Sequence, residues 1–187
     1  MNLDEIRVKI DAIDTQIKPL FLERMECAKH VAEAKAAMGS DSVFVLEREL
    51  AIIEKRAGDV DASVYNEYAA FLRHLMSVSR RYQYGILTEL QDKVMKTELE
   101  NAGLDENTEH TQVKIGFECE KENSDLNLFI NMAKLNRIPV DEIKLAARNG
   151  KQVVEMVLDG NVKEAEMRQF LCQTAKESEG FRIMELR

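Results

Sequence analysis

The sequence predicts an all-α half followed by an α/β half. Apolar residues recur at helical spacing from residue 3 to about residue 100. Residues 101–112, NAGLDENTEHTQ, are polar and turn-rich, and from Val113 the apolar period falls to two. These observations divide the chain into a helical domain at 1–100, a linker at 101–112 and a second domain at 113–187.

The bulk numbers fit that division. The 187 residues suffice for one full core or two small ones, and 45% hydrophobic with 32% charged residues reads as globular. No apolar run approaches the ~20 residues of a membrane span. The N-terminus, MNLDEIRVKI, is acidic and amphipathic, unlike a signal peptide. Cys27, Cys119 and Cys172 are odd in number and far apart, with no CxxC, which argues for reduced thiols in the cytoplasm and against a zinc site. A net charge of −8 disfavours nucleic acid. Arg80-Arg81 is the only compact basic pair in the N-terminal half, so the cations that meet an anionic ligand must be local and enclosed.

The first helix is expected over Leu3–Met38. Leu3, Ile6, Ile10, Ile13, Ile17 and Leu20 repeat at three and four, a heptad seam. The same count continues to Arg24, Cys27, Val31, Ala34 and Met38, and among these only Arg24 is wrong for a seam. A desolvated arginine needs a partner or an anion. Pro19 removes one backbone hydrogen bond and should kink the helix without ending it, and Gly39 is a natural stop. Such a helix is about 54 Å long, against a radius of gyration of roughly 12 Å for a 90-residue globule. One protomer cannot cover the whole seam, so a dimer of paired, antiparallel helices is expected. Arg24 and Lys35 share a face about 16 Å apart, whereas Arg7 lies about 25 Å from Arg24 and would reach a partner's site across the dimer.

A second helix is expected from Val43 to about Arg56, with Val45, Glu49, Ile52 and Ile53 on one face and Arg48 beside Glu49. A third should run from Ala62 to near residue 100. Its seam is Tyr68, Leu72, Leu75, Ser79, Gln83, Ile86 and Leu90, in which Ser79 and Gln83 replace apolar residues at i, i+4. Arg24, Glu49, Ser79 and Gln83 therefore stand where core is expected, and Arg7, Lys35 and Arg48 flank the seams.

Beyond the linker, Val113, Ile115, Phe117 and Cys119 alternate as a strand. Leu126, Phe129, Ile130 and Ala133 space as a helix that Pro139 closes off. Ile143 and Leu145 mark a second strand, Asn149-Gly150 a hairpin turn, and Val154, Met156 and Leu158 a third strand. Asp159-Gly160-Asn161 leads to a helix with Val162, Ala165, Phe170 and Leu171, and Phe181–Leu186 ends the chain as a strand. The order βαββαβ is that of a ferredoxin-like sandwich.

The ordered set Arg7, Arg24, Lys35, Arg48-Glu49 and Ser79-x-x-x-Gln83, with the text IRVKIDAIDTQIKPLFLERM, VAEAK and VLERE, resembles the all-helical class of chorismate mutase over residues 3–90. The resemblance implies an intertwined three-helix homodimer and the Claisen rearrangement of chorismate to prephenate, in phenylalanine and tyrosine biosynthesis, without metal or organic cofactor. It implies that Arg24, Arg48 and the second copy's Arg7 hold the two substrate carboxylates. Lys35 and Gln83 would donate to the ether oxygen, Glu49 would hold the ring hydroxyl and Ser79 a carboxylate. Val45 stands where the family often has an acidic contact. The C-terminal half resembles an ACT domain by element order. Its loop Asn123-Ser124-Asp125-Leu126 stands where such domains often bind an amino acid, without the usual glycine, and phenylalanine or tyrosine would be the effector. Two other functions fit parts of this pattern: an isochorismate-pyruvate lyase on a similar scaffold, and a non-catalytic sensor of chorismate or aromatic amino acids.

Overall fold

The computed structural model describes residues 2–120 and 126–187. Helix α1 (Leu3–Ala37) starts at a capping box: Asn2 Oδ1 accepts from the Glu5 amide at 2.9 Å, and Glu5 Oε2 accepts from the Asn2 amide at 3.0 Å. It runs continuously through Pro19 and stops at Gly39, whose φ of 62° lets the Ser40 amide turn back to the Lys35 carbonyl at 3.0 Å. Helix α2 (Leu46–Ala57) begins three residues later than the spacing suggests. Val43 and Val45 lie in the extended segment before it, and Val45 caps it through its carbonyl, with no side-chain cap.

The third expected helix is two. α3 (Tyr65–Ile86) and α4 (Thr88–Ala102) meet at Leu87, whose ψ of 62° leaves the helical region. The break is stabilised locally: the Gln91 side chain donates to the Tyr84 carbonyl at 2.7 Å, and Leu87 is buried. The start at Tyr65 also has a local cause. Asp61 Oδ1 accepts from the Ser63 amide at 2.9 Å and its hydroxyl at 2.6 Å, holding residues 61–63 in a turn.

The seam of α1 divides in two. Leu3, Ile6, Ile10, Ile13, Ile17 and Leu20 are exposed, as are Cys27, Val31, Ala34 and Met38. The face that packs on α3 lies one position along: Arg24, Met25, Ala28, Ala32 and Lys35 are buried or half-buried. Arg24 thus belongs to the face turned into its own chain, and the other members of its expected stripe face outward.

In the C-terminal half, β1 (Gln112–Glu120), α5 (Leu126–Leu135), β2 (Val140–Arg148), β3 (Lys151–Asp159), α6 (Ala165–Glu177) and β4 (Glu179–Leu186) follow in order. All pairings are antiparallel and the sheet order is β2-β3-β1-β4, a ferredoxin-like arrangement compatible with an ACT-like domain. Asn149 and Gly150 have φ of 51° and 81°, as a tight hairpin between right-twisted strands requires. Val113, Ile115 and Phe117 of β1 and Val154, Met156 and Leu158 of β3 are buried against Phe129, Met132, Met167, Phe170 and Leu171. Met95 and Leu99 of α4 join the same core. Among the described residues, no helix is long and apolar enough to cross a membrane.

The two halves share a continuous interface. Ala32, Val43, Tyr84, Leu87, Leu90, Val94 and Cys172 form one cluster drawn from α1, the loop before α2, the α3–α4 junction and α6. Gly85 lets α6 approach closely: a Cβ there would lie 2.9 Å from Gln169 Nε2, which donates to the Arg81 carbonyl at 2.6 Å.

Candidate functional site

Three helices converge on a group of polar side chains. Arg24 of α1 donates through Nη1 to the Ser79 hydroxyl of α3 and, at 3.4 Å, to the Leu75 carbonyl. The Ser79 hydroxyl in turn donates to the Leu75 carbonyl at 3.0 Å, which orients its lone pairs toward Arg24. Burial pushes the Arg24 guanidinium below its ordinary value, and the nearby Glu49 carboxylate opposes the push. A half-buried guanidinium with neutral hydrogen-bond acceptors retains donors for an incoming anion.

Lys35, about three turns further along the same face of α1, donates to the Val43 carbonyl at 3.3 Å. Burial lowers its ammonium value, and Arg48 lowers it further by like-charge repulsion. Two cations held close enough to repel each other favour an anion between them. Arg48 itself is exposed on α2. Gln83, one turn beyond Ser79, is buried; among the described residues its Nε2 makes only a long 3.4 Å bond to the Ser79 carbonyl, and its Oε1 has no partner. A buried amide satisfied this poorly costs of the order of 1–3 kcal/mol, which a bound ligand would offset.

Of the residues the resemblance singles out, Arg24, Lys35, Arg48, Glu49, Ser79 and Gln83 lie on the converging parts of α1, α2 and α3. Arg7 does not join them: its side chain is 65% exposed near the start of α1 and pairs with Asp4 at 3.4 Å. Val45 lies at the foot of α2 and is exposed. Asn123, Ser124 and Asp125 lie outside the described residues, and Leu126 opens α5, half-buried.

Glu49 has a partner that the spacing argument missed. Arg80 of α3 donates through Nη1 to Glu49 Oε1 and through Nε and Nη2 to Glu177 of α6, at 2.7 and 2.9 Å. Its guanidinium also lies 4.7 Å from the centre of the Phe44 ring. Burial acts to lower the Arg80 value, but the two carboxylates outweigh it and raise the value, so the cation is permanent. Burial pushes the Glu177 carboxyl up, against the opposing pull of Arg80. The available signal was a second stripe on α3, where Ala69, Met76, Arg80 and Tyr84 run beside the seam and are all buried. A cleft of about 230 Å³ opens beside Arg80, between Phe44, Leu50 and Ile53 on one side and Leu128, Phe129 and Lys176 on the other. Arg24, Lys35, Ser79 and Gln83 are not among its walls.

The group as a whole presents cations, a neutral amide and one carboxylate to a common region, without a nucleophile activated by a base. That suits binding and electrostatic stabilisation of an anion. No curated protein and no solved structure matches the chain significantly. The family model described as chorismate mutase type II matches residues 6–84, the segment that supplies Arg7, Arg24, Lys35, Arg48, Glu49, Ser79 and Gln83.

Proposed function

We propose that this protein is a chorismate mutase that converts chorismate to prephenate, a step toward phenylalanine and tyrosine, in the cytoplasm. The observation that carries this reading is the convergence of Arg24, Lys35, Arg48, Glu49, Ser79 and Gln83 within the segment that matches the family model. The reaction is unimolecular: one C–O bond breaks, one C–C bond forms and no proton moves. It requires a compact substrate conformer and compensation for the negative charge that grows on the ether oxygen.

Arg24 and Arg48 would grip the carboxylates, and Ser79 would add a hydroxyl beside Arg24. The guanidinium fork fixes carboxylate geometry better than a point charge does. Lys35 and Gln83 would donate to the ether oxygen. Their value lies in being held in place before reaction, since donors that meet charge only in the transition state raise turnover more than affinity. Glu49 would accept from the ring hydroxyl. With Val45 in place of an acidic side chain, that hydroxyl relies on Glu49 and the backbone.

The site would be completed by a second copy. The exposed seam Leu3, Ile6, Ile10, Ile13, Ile17 and Leu20 is a continuous apolar stripe of the kind that pairs helices. Antiparallel pairing would carry Arg7 of one copy toward Arg24 of the other. The C-terminal half is proposed as an ACT-like regulatory or dimerisation domain with phenylalanine or tyrosine as effector.

The test is a purified full-length chain incubated with chorismate, followed by loss of its ultraviolet absorbance and by product analysis, with and without added phenylalanine and tyrosine. Prephenate formation supports the reading; chorismate left intact in every condition refutes it.

A further inference from the structure

Glu177 is the last residue of α6, in the half of the chain that contains the sheet, yet it lies against the helical site. Its two oxygens take the Nε and Nη2 edge of the Arg80 guanidinium, and Gln173 Nε2 donates to Oε1 at 2.9 Å. The side chain is 4% exposed. Arg80 meets Glu49 through Nη1 and bonds only Oε1; among the described residues nothing bonds Glu49 Oε2. Stability alone does not favour this geometry. One arginine between two carboxylates leaves a net negative charge in a desolvated place, which a simple pair would avoid.

We propose that Glu177 is a positioning residue for the helical site: its two-bond grip on the Nε–Nη2 edge fixes the orientation of the Arg80 guanidinium, which then meets one oxygen of Glu49 through Nη1 and leaves the other oxygen for a ligand hydroxyl. This rests on the functional reading above. A guanidinium with no second carboxylate turns its fork to the remaining one, because two parallel N–H···O bonds are stronger than one. Without Glu177, Arg80 takes both oxygens of Glu49 and withdraws it from the substrate. The seat of α6 against α3, set by Gly85, Gln169 and the Tyr84–Cys172 cluster, thereby controls how a residue of α2 meets its ligand. The C-terminal half is part of the site's construction, in addition to any effector it binds.

The experiment is a double-mutant cycle on the full-length chain, with kcat and KM for chorismate measured in the wild type, Glu177→Gln, Glu49→Gln and the double variant. Glutamine keeps the shape of Glu177 but turns one Arg80 contact into donor against donor. Glu177→Gln is expected to lower kcat/KM by about tenfold or more, and to cost less than about twofold once Glu49 is already glutamine. A Glu177→Gln loss of equal size in both backgrounds would show a general structural role and overturn the proposal. Should Glu177→Gln fail to fold, Glu177→Asp, which keeps the charge but shortens the reach, closes the same cycle with the same two outcomes. A wild-type chain that leaves chorismate unchanged overturns the functional reading and takes the proposal with it. An active wild type with additive losses overturns the proposal alone.

Discussion

Replacing Arg80 with methionine should reveal how much the buried triad matters, and with which sign. The substitution removes three charged hydrogen bonds, to Glu177 at 2.7 and 2.9 Å and to Glu49, together with the contact over Phe44. It keeps much of the apolar stem but leaves Glu177 enclosed without a cation. Removing one partner of a buried ion pair costs about 3–5 kcal/mol, and in a chain of this length each kcal/mol lowers the midpoint by about 2–4 °C, so a fall of about 6–20 °C is expected. The loss should depend on pH. Burial already holds the Glu177 carboxyl above its ordinary value of 4.5, and Arg80 is the main force opposing that push. Without Arg80 the folded-state value rises further above the unfolded one. A carboxyl of that kind contributes its full stability below the unfolded value and loses it as pH rises through the folded value. The gap between wild type and Arg80→Met should therefore be narrow near pH about 4.5 and widen toward neutrality. Thermal melts across that range, read by circular dichroism, make the measurement. A midpoint that falls by less than about 3 °C at every pH would show that desolvation cancels the pairing and that the triad adds nothing to stability.

Further outcomes follow from other parts of the structure. Arg24→Ala should cut kcat/KM for chorismate by about 10³-fold or more with a small change in melting temperature; a loss under tenfold would mean that the residue does not grip substrate. Ile13→Asp, at the middle of the exposed seam, should convert a dimer into a species of 21.4 kDa by light scattering and abolish turnover; a wild type that already runs as a monomer refutes the shared site. Cys172 is fully buried, and burial pushes its thiol up to about 12, whereas Cys27 is exposed on α1. A water-soluble disulfide reagent should therefore modify Cys172 only after denaturation; rapid native labelling of Cys172 would contradict the packing of α6 on the α3–α4 junction.

What was legible in the sequence depended on whether its cause lay within one element. The two halves, the order of elements along the chain and the Asn149-Gly150 turn follow from periodicity and turn chemistry, which are local, and the structure has them. The division of the third helix at Leu87 is nearly local. Gly85 weakens the helix, but the junction depends on Gln91 reaching back to the Tyr84 carbonyl and on a cluster shared with α1 and α6, so spacing alone ran the helix through. The α1 stripe failed in a more instructive way. A heptad count assumes a single apolar face, whereas α1 has an exposed stripe of long aliphatics and, one position along, a narrow inner stripe of Ala28 and Ala32. Small residues carry little weight in a hydrophobic count, although they are what permits close packing of α1 on α3. Arg24 stands out in the sequence because it falls on a stripe of aliphatics; Arg80 does not, because Ala69, Met76 and Tyr84 beside it make too mixed a stripe to read as core. Its partner Glu177 lies 97 residues away on α6, and no periodicity within α3 encodes it. The same physics separates the two arginines by role. Arg24 is half-buried with neutral acceptors and keeps donors for an anion, whereas the charge of Arg80 is already neutralised by two carboxylates and its part is to hold Glu49 in place. A polar residue on an apolar helix face is thus a reason to look for a charge partner, and only the tertiary fold says whether that partner is a ligand or another part of the chain.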